Sequence, residues 1–214
     1  VTEVRLKILE LLRRFGPLLP PLLLEKLAGP MSWYAKRNLL KLLAETGHKK
    51  HALQVLDYLN HEDIRVQQEV FSCIYNLSGD ELRENLLEAL SFASGTVLEQ
   101  IVRALTPLVN EEVIKEVAEL LDDWKDISDD VREPLLIQAV KLLGRKPSPT
   151  AELALENFLQ LEGRARAKNI EDSVWRAARK AQRDMEMVKK ELAKKQSRQK
   201  HGPEVVGHPR EENK

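Results

Sequence analysis

Apolar residues recur along this chain at helical spacing, and the recurrence itself repeats. Val4, Ile8, Leu11, Leu12 and Phe15 fall at i, i+4, i+7, i+8 and i+11, which is one face of an α-helix. The same frame returns 31 residues later at Ala35, Leu39, Leu42, Leu43 and Thr46. It returns again at Val66, Val70, Cys73, Ile74 and Leu77, then at Val97, Ile101, Ala104, Leu105 and Leu108. A last step of 34 residues reaches Val131, Leu135, Gln138, Ala139 and Leu142. Three residues before the later frames stand Ser32, Asp63, Ser94 and Ser128, residue types whose side chains accept an orphan amide at a helix start. Gly16, Gly47, Gly79 and Gly144 follow four of the five helices, as helix C-termini prefer.

A second frame follows each first one: Pro20, Leu23, Leu24, Leu27; then Ala52, Val55, Leu56, Leu59; then Arg83, Leu86, Leu87, Leu90. Ile114, Val117, Ala118, Leu121 and Ala151, Ala154, Leu155, Phe158 complete the series. The repeating unit is therefore helix A, turn, helix B, turn. One such pair cannot bury its own apolar face, but stacked pairs share a continuous core. The predicted class is all-α: an α-solenoid of about five helix pairs over residues 1–162. Pro107 falls inside the fourth A helix and is expected to kink it. Pro134 lies near the first turn of the fifth, where proline is tolerated.

Beyond Gly163 the pattern changes. Residues 168–196 read as one long polar helix whose stripe is Ile170, Val174, Ala177, Ala178, Ala181 and Met185, with Trp175 and Met187 beside it. Its start is placed to cap the last pair. The expected divisions are a solenoid over 1–162, a basic C-terminal helix over 163–196 and a disordered tail over 197–214, rich in Pro, Gly, Glu and Lys towards its end. The first residue, Val1, already sits in a helical pattern, which fits a fragment or processed product of something longer.

Composition narrows the class. The chain has 214 residues, 43% hydrophobic, 5% aromatic and 32% charged, with a single Cys. One cysteine excludes a disulfide scaffold, and no apolar run approaches the roughly 20 residues that span a bilayer. No signal peptide is visible at the start, so the expected setting is the cytoplasm, without a membrane. The formal net charge is zero, but it is unevenly spread. Residues 1–162 hold 19 Lys and Arg against 26 Asp and Glu, a net of −7; residues 163–214 hold 15 against 8, a net of +7.

With these frames in view, the chain resembles HEAT repeats, especially the short bacterial, phycobilisome-lyase-like kind. The stretch Leu59-Asn60-His61-Glu62-Asp63-Ile64-Arg65-Val66 is similar to that family's B-helix end, Asp cap and Arg-Val opening of helix A. Trp33 to Gly47 looks like another A helix of this kind, and Val4-Arg5 and Val131-Arg132 fit as well. The resemblance implies an armadillo-like superhelix with A helices outside and B helices lining the inner face. It also implies a scaffold or adaptor for proteins and peptides; a minority of relatives are enzymes, among them bilin lyases, a diiron hydroxylase and alkylpurine glycosylases. Fold alone does not select among these. The expectation is a non-catalytic scaffold that binds a protein or peptide on its B-helix face. The alternatives are a regulatory module of a longer bacterial signalling protein or a lyase-type enzyme.

Candidate chemistry is sparse. His48 and His51 are three apart, the spacing of two helical metal ligands, but Lys49 and Lys50 between them oppose a cation, so solvated turn residues are expected. His61-Glu62 is a single His-Glu dipeptide, whereas diiron hydroxylases of this fold use several. Cys73 occupies a core slot equivalent to Leu11 and Leu42. No glycine-rich phosphate loop and no serine nucleophile elbow occur. No catalytic residue, metal or cofactor is expected.

One polar feature is positional. The slot after the third apolar position of each B frame holds Glu25, Asp57, Glu88, Glu119 and Glu156. Equivalent positions in stacked pairs lie roughly 10 Å apart, so these five carboxylates are expected to form an acidic ridge. Gln54, Asn85 and Glu116, one turn earlier, are expected to add polar character. Such a ridge suits a basic segment of a partner, and the chain's own basic tail is one candidate occupant; an ordinary solvated helix face is the plainer alternative. The tail lacks interleaved aromatics and a broad apolar face, so neither nucleic acid nor membrane is its expected target. The sequence leaves the oligomeric state open.

Overall fold

The architecture is seen in a computed structural model that describes residues 7, 10–12, 14–164, 167 and 169–200. Among the described residues every regular element is helical and no strand occurs. The helices are α1 (Leu19–Leu27), α2 (Trp33–Thr46), α3 (Ile64–Ser78), α4 (Leu82–Leu90), α5 (Gly95–Leu105), α6 (Glu111–Asp122), α7 (Asp129–Leu143), α8 (Pro149–Leu159) and α9 (Asp172–Lys200). Lys7 and Glu10–Leu12 are helical as well, while Val4 and Ile8 lie outside the described residues.

The helix starts follow the local chemistry in part. Ser32, Asp63, Ser94 and Ser128 are all N-cap residues, but only the Asp63 side chain does the capping, accepting the Arg65 amide at 2.9 Å. Two side-chain caps begin second helices instead: Asn110 Oδ1 accepts the Val113 amide at 2.9 Å, and Ser148 Oγ accepts the Ala151 amide at 3.2 Å. Glu111 and Glu112 add negative charge to the first turn of α6, where the helix dipole favours it.

Two elements differ from the periodic pattern. Pro107 does not kink the fourth A helix: α5 stops at Leu105, and a 3₁₀ turn carries Thr106–Leu108. The missing proline amide removes the hydrogen bond that would continue the α-helix. The second helix of the second pair is a 3₁₀ helix over Leu53–Asn60, yet Val55, Leu56 and Leu59 remain buried. Pro134 is accommodated inside α7.

Packing follows chain order. First helices pack as α2 on α3, α3 on α5 and α5 on α7, and α9 packs on α7 in turn. The 3₁₀ helix packs on α4, and α6 on α8, on the second-helix side. The α2–α3 contact has a polar clamp. The Arg65 guanidinium stacks 3.3 Å from the centre of the Trp33 ring and donates to Asp63 through Nε at 2.9 Å and Nη2 at 2.6 Å. The Arg65 hydrogen bonds hold the Asp63 carboxyl well below the usual range, at about 2.

Burial separates the two ends. At the C-terminal end Leu135, Leu136, Ala139, Val140, Leu142 and Leu143 of α7 are all fully buried, so α7 buries more than the single face its frame predicts. It is enclosed by α5, α6, α8 and α9. At the other end Leu11 and Phe15, expected in the core, are 56% and 54% exposed.

The C-terminal helix starts at Asp172 rather than 168 and runs on to Lys200, so residues 197–200 are helical; 201–214 lie outside the described residues. Of its stripe, Ala177 is half-buried, while Ile170, Val174, Ala178, Ala181 and Met185 are buried as expected. Trp175 joins them, its ring 5.0 Å from that of Phe158. Past Met185 the described side chains are exposed apart from Val188. Val188 and Lys189 still meet the body; at 1.5 Å per residue, the 11 helical residues after them run for roughly 16 Å.

Candidate binding surfaces

The five carboxylates of the B frame, Glu25, Asp57, Glu88, Glu119 and Glu156, are all exposed, on α1, the 3₁₀ helix, α4, α6 and α8 in turn. Each flanks a buried side chain of the same element: Leu24 and Leu27 lie around Glu25, Leu56 and Leu59 around Asp57, and Leu155 and Phe158 around Glu156. Packing of those neighbours fixes the direction of the helix and leaves the carboxylate facing out. Glu119 pairs with Lys115 one turn earlier at 3.5 Å. Glu156 shares a small hollow of about 120 Å³ with Glu152, Gln182, Met185, Glu186 and Lys189, and Lys189 of α9 pairs with Glu152. The basic helix thus reaches the last of the five positions.

Of the three residues expected to add polar surface, Gln54 is exposed and Glu116 half-buried, but Asn85 is not on the surface. Its Nδ2 donates to Ser78 Oγ at 2.9 Å, and that hydroxyl donates to the Ile74 carbonyl at 2.6 Å. Asn85 is buried because the chain must satisfy the end of α3 there, so its polarity is spent inside.

His51 also departs from expectation. It is only 4% exposed rather than solvated, and its Nδ1 accepts the His48 amide at 2.9 Å. Burial, followed by the charges of Lys50 and His48, pushes its pKa below the ordinary value. With Nδ1 occupied, this ring is a structural acceptor. His61 Nδ1 accepts the Asp63 amide at 3.0 Å, closing the turn before α3. No cluster of metal-binding side chains occurs among the described residues.

Cys73 is fully buried between α3 and its neighbours. Burial, with Glu69 adding to it, pushes the thiol up to about 12, so at neutral pH it stays protonated and is a weak nucleophile. Tyr58 is raised by burial and by the adjacent Asp57 carboxylate, and Lys36 lies 5.3 Å from its ring centre.

A feature the periodicity did not point to lies between α7 and α9. A groove of about 630 Å³ is lined by Lys141 and Arg145 of the α7 end and by Arg176, Lys180 and Asp184 of α9. Its floor includes Gly144, Ala177 and Ala181. A Cβ on Gly144 would fall 2.7 Å from the Ala181 Cβ and 3.0 Å from its Cα. Glycine at 144 is therefore required by close approach, and that approach makes the floor shallow and apolar. The i, i+4 spacings Lys141–Arg145 and Arg176–Lys180 were present in the sequence; that α7 and α9 would set them on one groove was not.

No protein-family model, no curated protein and no solved structure matches this chain. No described helix is long and apolar enough to cross a membrane. Among the described residues the chain is all-α, built of consecutive, mutually packed helices.

Proposed function

We propose that the chain is an α-solenoid of HEAT-like helix pairs, and that it acts as a non-catalytic scaffold whose second-helix face binds a basic segment of a partner protein. The observation that carries this reading is that Glu25, Asp57, Glu88, Glu119 and Glu156 are all exposed on successive second elements. Neighbour-to-neighbour packing along the first-helix row supports the stacked arrangement. Carboxylates recurring once per pair attract cationic side chains spread along an extended chain, and such attraction weakens with salt. The chain's own basic helix pairs with Glu152 beside Glu156, which leaves the earlier positions for a separate partner.

The test is fluorescence anisotropy with a labelled peptide of alternating lysine and glycine. Asp57→Lys/Glu88→Lys/Glu119→Lys should bind about tenfold more weakly or worse than the wild type, and wild-type binding should fall between low and moderate salt. A triple variant that binds as the wild type does returns these carboxylates to an ordinary solvated surface.

A further inference from the structure

The groove between α7 and α9 lies on the first-helix side of the last pair, whereas the five carboxylates lie on second helices. Its charge is opposite: four cations, Lys141, Arg145, Arg176 and Lys180, against the single carboxylate of Asp184. Three cations of this region find partners within the chain, while Lys146, Arg183 and Lys190 make no ion pair among the described residues. Arg132 pairs with Asp129, Arg179 with Glu162 and Lys189 with Glu152. Among the described residues the four groove cations make no ion pair and no side-chain hydrogen bond. All four are exposed.

The floor decides what kind of anion suits them. Ala177, Ala181 and Val188 supply methyl groups, and Gly144 lies directly against Ala181 at the α7–α9 contact. The volume, about 630 Å³, falls in the ordinary range of ligand pockets. An apolar floor rewards a ligand that brings apolar side chains as well as charge. Among the described residues no aromatic side chain lines the groove, so a nucleic acid would find no aromatic ring on which to stack its bases.

We propose that this groove docks an acidic segment of a partner protein, which sets apolar side chains on the Gly144–Ala181 floor and its carboxylates among Lys141, Arg145, Arg176 and Lys180. The site is independent of the acidic face and does not rest on its assignment. A scaffold with both would hold a basic segment on one side and an acidic one on the other.

The experiment uses the full chain and three labelled probes, read by fluorescence anisotropy. They are a peptide of about twelve residues alternating glutamate and leucine, its glutamate–serine counterpart, and an oligothymidylate of equal charge. The glutamate–leucine peptide should bind tightest. Lys141→Glu/Arg176→Glu should weaken it about tenfold or more, since two attractions become repulsions. Lys194→Glu/Lys195→Glu makes the same change in charge on the projecting end of α9 and should weaken it less than about twofold. Asp57→Lys/Glu88→Lys/Glu119→Lys should not weaken it, so failure of the acidic-face reading and failure of this one are read on different probes. Equal weakening by the groove pair and the α9-end pair overturns the proposal, as does tighter binding of the oligothymidylate or no binding of the glutamate–leucine peptide. Circular dichroism confirms that each variant keeps its helix content.

Discussion

The first helices of the first and last pairs carry related apolar frames but are buried to different degrees, although Leu12 of the first also packs against the core, which takes in Leu23 and Leu27 of its partner helix. At the C-terminal end α7 is enclosed on several sides, and its frame residues Val131, Leu135, Ala139 and Leu142 are buried together with Leu136, Val140 and Leu143. At the other end Phe15, equivalent to Leu142, and Leu11, equivalent to the half-buried Gln138, are both more than half exposed, and Leu18 and Leu22 are exposed as well. A helical frame states which side chains point the same way. Neighbours decide whether anything lies there to receive them. The last pair has its receiver in α9, which supplies Val174, Trp175, Ala178, Ala181 and Met185 to the shared core.

The sharpest way to break this contrast is to remove what α9 contributes. Trp175→Ala deletes a buried ring packed against Phe158 and should cost about 3–5 kcal/mol, measured by urea denaturation with circular dichroism. A loss below about 1 kcal/mol would show that α9 is an appendage rather than part of the core. Gly144→Ala is next. Its new methyl meets Ala181 backbone and Cβ, and overpacking of this kind costs about 1–3 kcal/mol. Amides of residues 174–185 should exchange with solvent faster in that variant, while those of α3 should not.

A smaller effect tests the middle of the chain. The folded pKa of His51 is depressed by burial, then by Lys50 and His48, so below the ordinary histidine value the unfolded chain binds the extra proton. The stability associated with a neutral His51 is therefore present above about pH 6.5 and is lost as pH falls below it. The melting temperature of the wild type should fall more steeply between pH 7 and pH 5 than that of His51→Gln; parallel curves would refute the assignment. The smallest expected effect is at the open end. Leu18→Gln, at a site 70% exposed, should shift stability by no more than about 0.5 kcal/mol. A large loss there would show that the end is covered and the contrast false.

Much of the fold was legible because burial along a helix is periodic. All five frame positions of α3 are buried, as are all four of α6 and of α8. Leu40 and Val102 escaped because they face neighbours outside the single predicted stripe. Trp124 escaped because it lies in a turn between pairs, buried with Arg132 5.8 Å from its ring centre. Asn85 and His51 were misplaced for a related reason: a polar residue type indicates exposure only until a buried partner satisfies it, and Ser78 and the His48 amide do so here. Of the candidate surfaces, the exposed carboxylates follow from their place one step off the apolar stripe. The basic groove was invisible, since its two walls are more than 30 residues apart in the chain.

The sequence by itself determined the all-helical class, the succession of paired helices and most inward-facing residues, because spacing of 3.6 residues per turn acts locally. It also determined the opposite charges of residues 1–162 and 163–214. Only the tertiary structure decided which apolar faces are covered, that α9 packs close enough on α7 to require glycine at 144, and that four cations from two distant segments share one apolar floor. Those outcomes depend on which elements meet, and contact between distant segments leaves no mark in local periodicity.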